Sequence, residues 1–390
     1  MKKTCPVVLI LFVAFWSIGN KSQKPESNAT VEIVDGIECI HNTEIPLYPE
    51  KTVTFVEELS IGGENQEGDI ILFEPLWFLA DDNKNIYISE WQDQVIKVFG
   101  PDGKYIKTIG AKGSGPGEFQ RIESIVFTKD GKLVVTDGGT RRTSFFDSSG
   151  QFLKSFQWRT GQYNFILLKS SSYVFGERAY SGIRQNSYFY VKEIDFDGKE
   201  IRDYGDFTGA NALITRLRSG GTSYTSLPVS PSSLFIGDKD KEWFYHCLNN
   251  KYVIEVYDAS GKLFRKIDRP YEPVPFTKKD EEKYRARFKN HRFDEVEKAV
   301  KDMKMPKVKN VVSRMHVDDE SNLWVRTNEI KEEEYATLTA YDIYNSDGIY
   351  YAKIWTPVLP FLFKEGKMYR MDTDGGMGYR SIKRYKMTWN

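Results

Sequence analysis

Cysteine, histidine and net charge are scarce or missing in this chain, and each shortage removes a class of function. Three cysteines stand in 390 residues, Cys5, Cys39 and Cys247. None has the Cys-x-x-Cys or Cys/His spacing that zinc demands. The four histidines, His41, His246, His291 and His316, do not read as a three-histidine metal site, because only His246 falls where a loop could reach a shared centre. Lys+Arg 55 balances Asp+Glu 55, so the global positive field used by non-specific nucleic-acid and anionic-membrane binders is missing. There is no Gly-x-Ser-x-Gly elbow, no P-loop and no Cys-His nucleophile arrangement. The segment from Gly113 to Phe119, GSGPGEF, has the glycines of a phosphate loop without the Lys-Ser/Thr that must follow them.

A membrane-spanning run is missing too. The longest apolar stretch, Pro6 to Trp16, is eleven residues, against the roughly 20 needed to cross a bilayer. It follows Met1-Lys2-Lys3 and precedes small residues at Ser17 and Gly19, the layout of a secretory signal peptide over residues 1–19. No cysteine sits where a lipobox would need one. Cys5 would leave with the leader, so the exported chain keeps two thiols and no disulfide framework. Export places it in the periplasm or outside the cell, within the envelope.

What the chain does have is aromatic residues and turns, with 23 Tyr, 25 Phe and 30 Gly, a composition suited to strands. Two patterns repeat. A nine-residue hairpin recurs as VFGPDGKYI, FFDSSGQFL, EIDFDGKEI, VYDASGKLF and IYNSDGIYY, with Gly103, Gly150, Gly198, Gly261 and Gly348 at the position that such a turn sets to positive φ. Before each hairpin, and once more near the C-terminus, a polar turn leads into an aromatic or β-branched strand, as in DDNKNIYISE, VDDESNLWVR and FKEGKMYRMD. Six such strands predict an all-β chain of six four-stranded units, a six-bladed β-propeller over residues 52–390. The sixth unit runs out of chain after Ser381–Trp389. Thr52–Gly62, TVTFVEELSIG, resembles the outer strands and has no inner strands of its own. It is expected to complete that blade, with residues 20–51 as an N-terminal segment before it.

The stretch from Trp77 to Phe156, including Gly113 to Phe119, resembles two consecutive NHL repeats, and the chain as a whole resembles exported bacterial six-bladed propellers of that type. The resemblance implies the fold. It leaves function open among lyases, lactonases, sensors and binding modules.

Two segments break the repeat. Asp206–Pro231, rich in Gly, Ser and Thr, reads as a long loop. Residues 269–307, between blades 4 and 5, read as a helical insertion: Thr277 stands three residues before Asp280 as a cap, Tyr284, Phe288, Val296, Val300 and Met303 keep helical spacing, and a weak point falls near Asn290. Both insertions lie in connections from an outer strand to the next inner strand, so they share one face. The ends of the second strands open on that same face. The candidate ligand-binding rim is therefore Glu90, Trp91, Arg121, Asp137, Arg141, Arg142, Glu177, Arg178, Tyr180, Arg326 and Asp372. Guanidinium forks there would take a carboxylate, and rings would stack on apolar surfaces. For Glu90 and Asp137 the plainer reading is that they accept backbone hydrogen bonds in turns.

The expectation is an exported, non-enzymatic module that binds a ligand or partner through the insertion-bearing face, the partner being an envelope protein or an acidic, carboxylate-bearing ligand. No cofactor is expected. The competing class is a metal-dependent, lactonase-like hydrolase or a lyase, with Ca²⁺ held by Glu90, Asp137, Glu177 and Asp372. The two thiols are expected to be free, on the ground that Cys247 belongs to the fourth blade and Cys39 precedes a strand of the sixth.

Overall fold

The computed structural model describes residues 29–63, 72–157, 163–169, 172–180, 187–360, 362–373 and 380–390, with the side chains of 163–168 and 177–180 outside that description. The leader expected at 1–19 lies outside it as well. No helix among the described residues is long and apolar enough to cross a membrane.

The chain is a six-bladed β-propeller. From inner to outer strand, blade 1 is Pro75–Ala80, Ile86–Glu90, Val95–Phe99 and Tyr105–Ile109, and blade 2 is Ile122–Phe127, Leu133–Asp137, Arg142–Phe146 and Phe152–Gln157. Blade 3 comprises Tyr163–Leu168, Ser172–Tyr180, Ser187–Asp195 and Glu200–Thr208. Blade 4 is built on Ser233–Asp238, Trp243–Leu248, Val253–Tyr257 and Leu263–Asp268, and blade 5 on Val312–Val317, Leu323–Glu332, Thr337–Tyr344 and Tyr350–Thr356. Blade 6 takes Leu362–Lys364, Lys367–Thr373 and Arg380–Trp389 from the C-terminus and its outer strand, Val53–Gly62, from the N-terminus. Second strands such as Ile86–Glu90 and Leu133–Asp137 are buried along their whole length, as expected of sheets covered on both faces by neighbouring blades.

The hairpin glycines do more than turn the chain. Gly150 has φ +86°, and a Cβ there would meet Ile109 of the preceding blade at 2.7 Å. Gly348, at φ +81°, would meet Ile40 at 2.8 Å. Each turn is therefore pressed against a neighbouring layer that leaves no room for a side chain.

The N-terminal segment is an ordered strap. Ile37–His41 pairs in parallel with Leu263–Asp268, and Thr30–Val34 pairs antiparallel outside it, giving blade 4 six strands. Asn42 then joins blades 4 and 5: its N–H donates to Asp268 O (2.9 Å), its Nδ2 to Gly348 O (3.0 Å), and its Oδ1 accepts from Tyr350 N (2.7 Å). Leu47 and Tyr48 donate to the carbonyls of Tyr350 and Tyr351 at 2.8 and 2.9 Å before the chain reaches blade 6.

This strap overturns the reasoning about the thiols. Cys39 and Cys247 lie in the same sheet, with the strands Leu263–Asp268 and Val253–Tyr257 between theirs. Three strand spacings are about 14 Å, twice the roughly 7 Å that a disulfide tolerates between Cα atoms. Both are free, for a reason of distance within one blade.

The first insertion is not a loop. It continues the Glu200–Thr208 strand and then forms a hairpin, Ala212–Arg216 with Thr222–Ser226, turning at Gly220 with φ +88°. The second insertion forms α1, Lys278–Ala286, and α2, Asp294–Asp302, with Asn290 at φ +58° between them. Thr277 and Asp280 make a reciprocal capping box on α1. Tyr284, Val296 and Val300 are buried. Tyr284 donates from its hydroxyl to Ser226 O (2.8 Å), and Arg218 N donates to Glu295 Oε1 (2.9 Å), so the two insertions are tied to each other.

Candidate functional site

The expected rim residues divide by what they touch. Glu90 is fully buried and accepts from the backbone N–H groups of Phe73 and Glu74. Asp137 occupies the same place in blade 2 and accepts from Gln120 N, Arg121 N and Gly139 N, each at 2.8 Å, and from the Thr140 hydroxyl at 3.0 Å. These carboxylates fasten the inter-blade connections chiefly through backbone donors, the turn role read for them from the sequence.

Arg142 donates to Gly115 O (2.9 Å) and Ser114 O (2.8 Å), holding the GSGPGEF loop, and Arg121 pairs with Glu123 at 2.9 Å. Both guanidinium groups are engaged by neighbouring groups of the protein. Arg141 sits at φ +55° in the turn after the second strand, and Trp91 is 38% exposed in the equivalent turn of blade 1. The side chains of Glu177, Arg178 and Tyr180 lie outside the described residues. Asp372 pairs with Arg370 and lies 3.7 Å from Lys383. Arg326 makes no ion pair among the described residues, and its Nε is buried without a partner.

His246 is fixed structurally. Its Nδ1 lies 2.9 Å from Glu255 Oε2 and its Nε2 3.0 Å from Ser233 Oγ, with the ring between Phe207 and Phe235. Among the described residues, no group of three His, Cys, Asp or Glu is placed to hold a metal ion.

A constellation between the two insertions is one that the rim argument missed. A cleft of about 430 Å³ opens between α1, the end of the first insertion at Leu227–Val229, and the top of blade 5. Lys283, Arg287 and Lys309 bring three cations to its walls, while Tyr284 and Phe276 supply rings. The only acid among the lining residues is Asp280, which Lys309 meets at 2.8 Å. Burial works against the ionised Asp280 carboxylate, but the Lys309 and Thr277 hydrogen bonds prevail and hold it near about 2. It therefore stays ionised and neutralises Lys309. Lys283 and Arg287 are exposed one helical turn apart. Asn310, whose backbone carbonyl accepts from Asn328 Nδ2 (2.7 Å), keeps a buried side-chain oxygen without a partner among the described residues. The sequence signal was present in the spacing of Lys283, Tyr284 and Arg287 on the inserted helix, but no periodicity places that face over blade 5.

Residues 71–219 match the family model DUF5128, described as a 6-bladed beta-propeller. Among curated proteins, none matches the chain. Solved structures align with it over nearly their whole length. An exported-class protein of Bacteroides fragilis is 11% identical, covering 90% of this chain and 99% of its own, with a TM-score of 0.50. A member of the DUF4221 family from Bacteroides vulgatus is 10% identical over 86% of this chain and 98% of its own (TM-score 0.45). Virginiamycin B lyase from Staphylococcus aureus is 12% identical over 86% of this chain and 99% of its own (TM-score 0.39). At these identities the likeness is one of fold, and what these comparisons show of the present chain is a six-bladed β-propeller.

Proposed function

We propose that the chain is an exported, non-enzymatic binding module that takes a carboxylate-bearing ligand, or an acidic segment of an envelope protein, in the cleft between its two insertions. The observation that carries this reading is the charge on the cleft: three cations and one carboxylate line it, and the carboxylate is already held by Lys309. That leaves Lys283 and Arg287 to face a visitor, with the rings of Tyr284 and Phe276 to cover its apolar part. The N-terminal leader pattern and the exported neighbour support a role outside the cytoplasm.

The test uses the mature protein and a poly-glutamate peptide as probe. Wild type should bind it in a salt-sensitive way, and K283E/R287E should abolish binding while melting within about 2 °C of wild type, since both side chains are exposed. Binding that survives the double reversal overturns the assignment, as does a wild type that shows none.

A further inference from the structure

The second strand of blade 5 runs ten residues, Leu323–Glu332, where those of blades 1 and 2 run five. Past a register shift between Arg326 and Ile330, the pairs Ile330↔Thr339, Lys331↔Leu338 and Glu332↔Thr337 carry the hairpin beyond the blade. Glu333 N donates to Ala336 O (2.9 Å) and closes its tip. That tip is acidic: Glu332, Glu333 and Glu334 stand there against Lys331 alone. Lys331 meets Glu333 at 3.2 Å in an exposed pair of the weak kind, and Glu334 makes no ion pair among the described residues. Beside them Tyr335 is 90% exposed, and turn chemistry does not call for a tyrosine there.

The cleft under α1 offers the complement. Lys283 and Arg287 are exposed and make no ion pair among the described residues, while Tyr284 and Phe276 line the cleft with rings. An acidic peptide with an aromatic residue satisfies both features, its carboxylates on the two cations and its ring against the rings or the Arg287 guanidinium. The 332–335 tip is such a peptide. It is also a neighbour of the cleft, because Asn328, four residues before Glu332, lines the cleft wall, and four residues of strand span about 13 Å. In its own chain the tip is undocked, as the exposure of Tyr335 shows. A cleft and a tip side by side on one face can be exchanged between two copies across a two-fold axis, each tip entering the other's cleft, and that arrangement closes at the dimer.

We propose that the partner taken by the cleft is a second copy of this chain, with the 332–335 tip of each protomer seated against Lys283, Arg287 and the rings of the other. This rests on the reading of the cleft as an acid-binding site and names its occupant. The two contacts are small and charged, so the dimer is weak and salt-sensitive.

Sedimentation equilibrium of the mature protein over about 1–300 µM tests this. Wild type should pass from monomer to dimer across that range at low salt and return to monomer in about 0.5 M NaCl. E333K/E334K should stay monomeric, still bind poly-glutamate as wild type does, and melt within about 2 °C of it, since both positions are exposed. K283E/R287E should lose both the dimer and poly-glutamate binding. Mixed together, these two variants bring a basic tip to an acidic cleft and an acidic tip to a basic one, so they should form a heterodimer although neither self-associates. Y335A should weaken the wild-type dimer several-fold. The inference is overturned if wild type is monomeric throughout, if E333K/E334K or Y335A dimerises like wild type, if the mixture stays monomeric, or if association grows past the dimer. A monomeric wild type that binds poly-glutamate overturns the dimer alone, whereas one that binds no poly-glutamate overturns the cleft reading as well.

Discussion

Asp342 is the residue whose loss should cost the propeller most. It is 0% exposed and accepts from Arg269 Nε (3.1 Å) and Nη2 (2.5 Å), from the Tyr350 hydroxyl (2.8 Å) and from the Tyr252 hydroxyl. The Arg269 guanidinium is itself walled by the rings of Tyr252, Tyr271 and Tyr350 at 4.6, 5.1 and 5.0 Å. This is one buried ion pair joining blade 4 to blade 5. Asp342→Asn keeps the shape and removes the charge, leaving Arg269 buried beside Pro270 O and with Glu329 only at 3.9 Å. Breaking one side of a buried pair costs about 3–5 kcal/mol. The fallback partners argue for the lower end, about 3 kcal/mol, or a fall of roughly 4 °C in Tm for a chain of this size. Urea denaturation would measure it, and Arg269→Met in the Asp342→Leu background should recover much of the loss, because an apolar pair carries no stranded charge. Asp342→Asn within about 1 kcal/mol of wild type would refute the reasoning, and so would a double variant no better than the single one.

Three further outcomes are expected. Removing residues up to Gly62 takes the outer strand from blade 6 and the strap from blades 4 and 5, so the remaining chain should lose its single cooperative melt; a Tm within a degree or two of the mature protein would contradict ring closure. Burial works against the charged form of His41, but the hydrogen bonds and charges of Asp268 and Glu32 together outweigh this and raise its pKa above the usual value. A raised pKa means stability fully present below the unfolded value near 6.5 and lost as pH rises through the folded one, so strap protection factors, amide exchange divided by its intrinsic base-catalysed rate, should fall as pH rises above about 6.5 in wild type and stay level in His41→Gln. Burial pushes the Cys247 thiol up to about 12, and Cys39 is only half-buried; a thiol reagent should therefore modify the mature native protein slowly and once, and twice after denaturation, whereas a result of no free thiol in denatured, unreduced protein would mean a disulfide.

The propeller was legible because its blades repeat. Gly103, Gly150, Gly198, Gly261 and Gly348 each mark a local turn whose geometry is written within nine residues. The strap was not legible, because the partner of Ile40 is Ile267, and a parallel pairing at that separation leaves no local signature. The first insertion hid its strands behind Ser, Thr and Gly, which read as loop until Ala212–Arg216 is seen opposite Thr222–Ser226. Among site residues, the turn role read for Glu90 and Asp137 describes their contacts well, since a carboxylate at a repeated turn meets the same backbone donors in each blade. The charged residues between blades 5 and 6 were half legible. Arg326 and Asp372 could be singled out by their place at the strand ends, but Tyr341 reads as one more core aromatic until the row that it shares with Arg314 and Arg326 is known.

The pairing of Val53–Gly62 with Arg380–Trp389 also sets an order of assembly. The first of these strands precedes its partner by roughly 320 residues, so in a chain that emerges N-terminus first it waits for the rest of the ring. Ile37–His41 needs only the chain up to residue 268 to dock, so the strap can anchor on blade 4 before the strands of blade 6 have emerged. The waiting strand carries Glu57 and Glu58 at its centre, charges that discourage pairing with other nascent chains. When the last strand arrives, Glu57 meets Lys383 and Glu58 meets Lys367. The same two carboxylates thus guard the open edge during synthesis and lock it once the ring is shut.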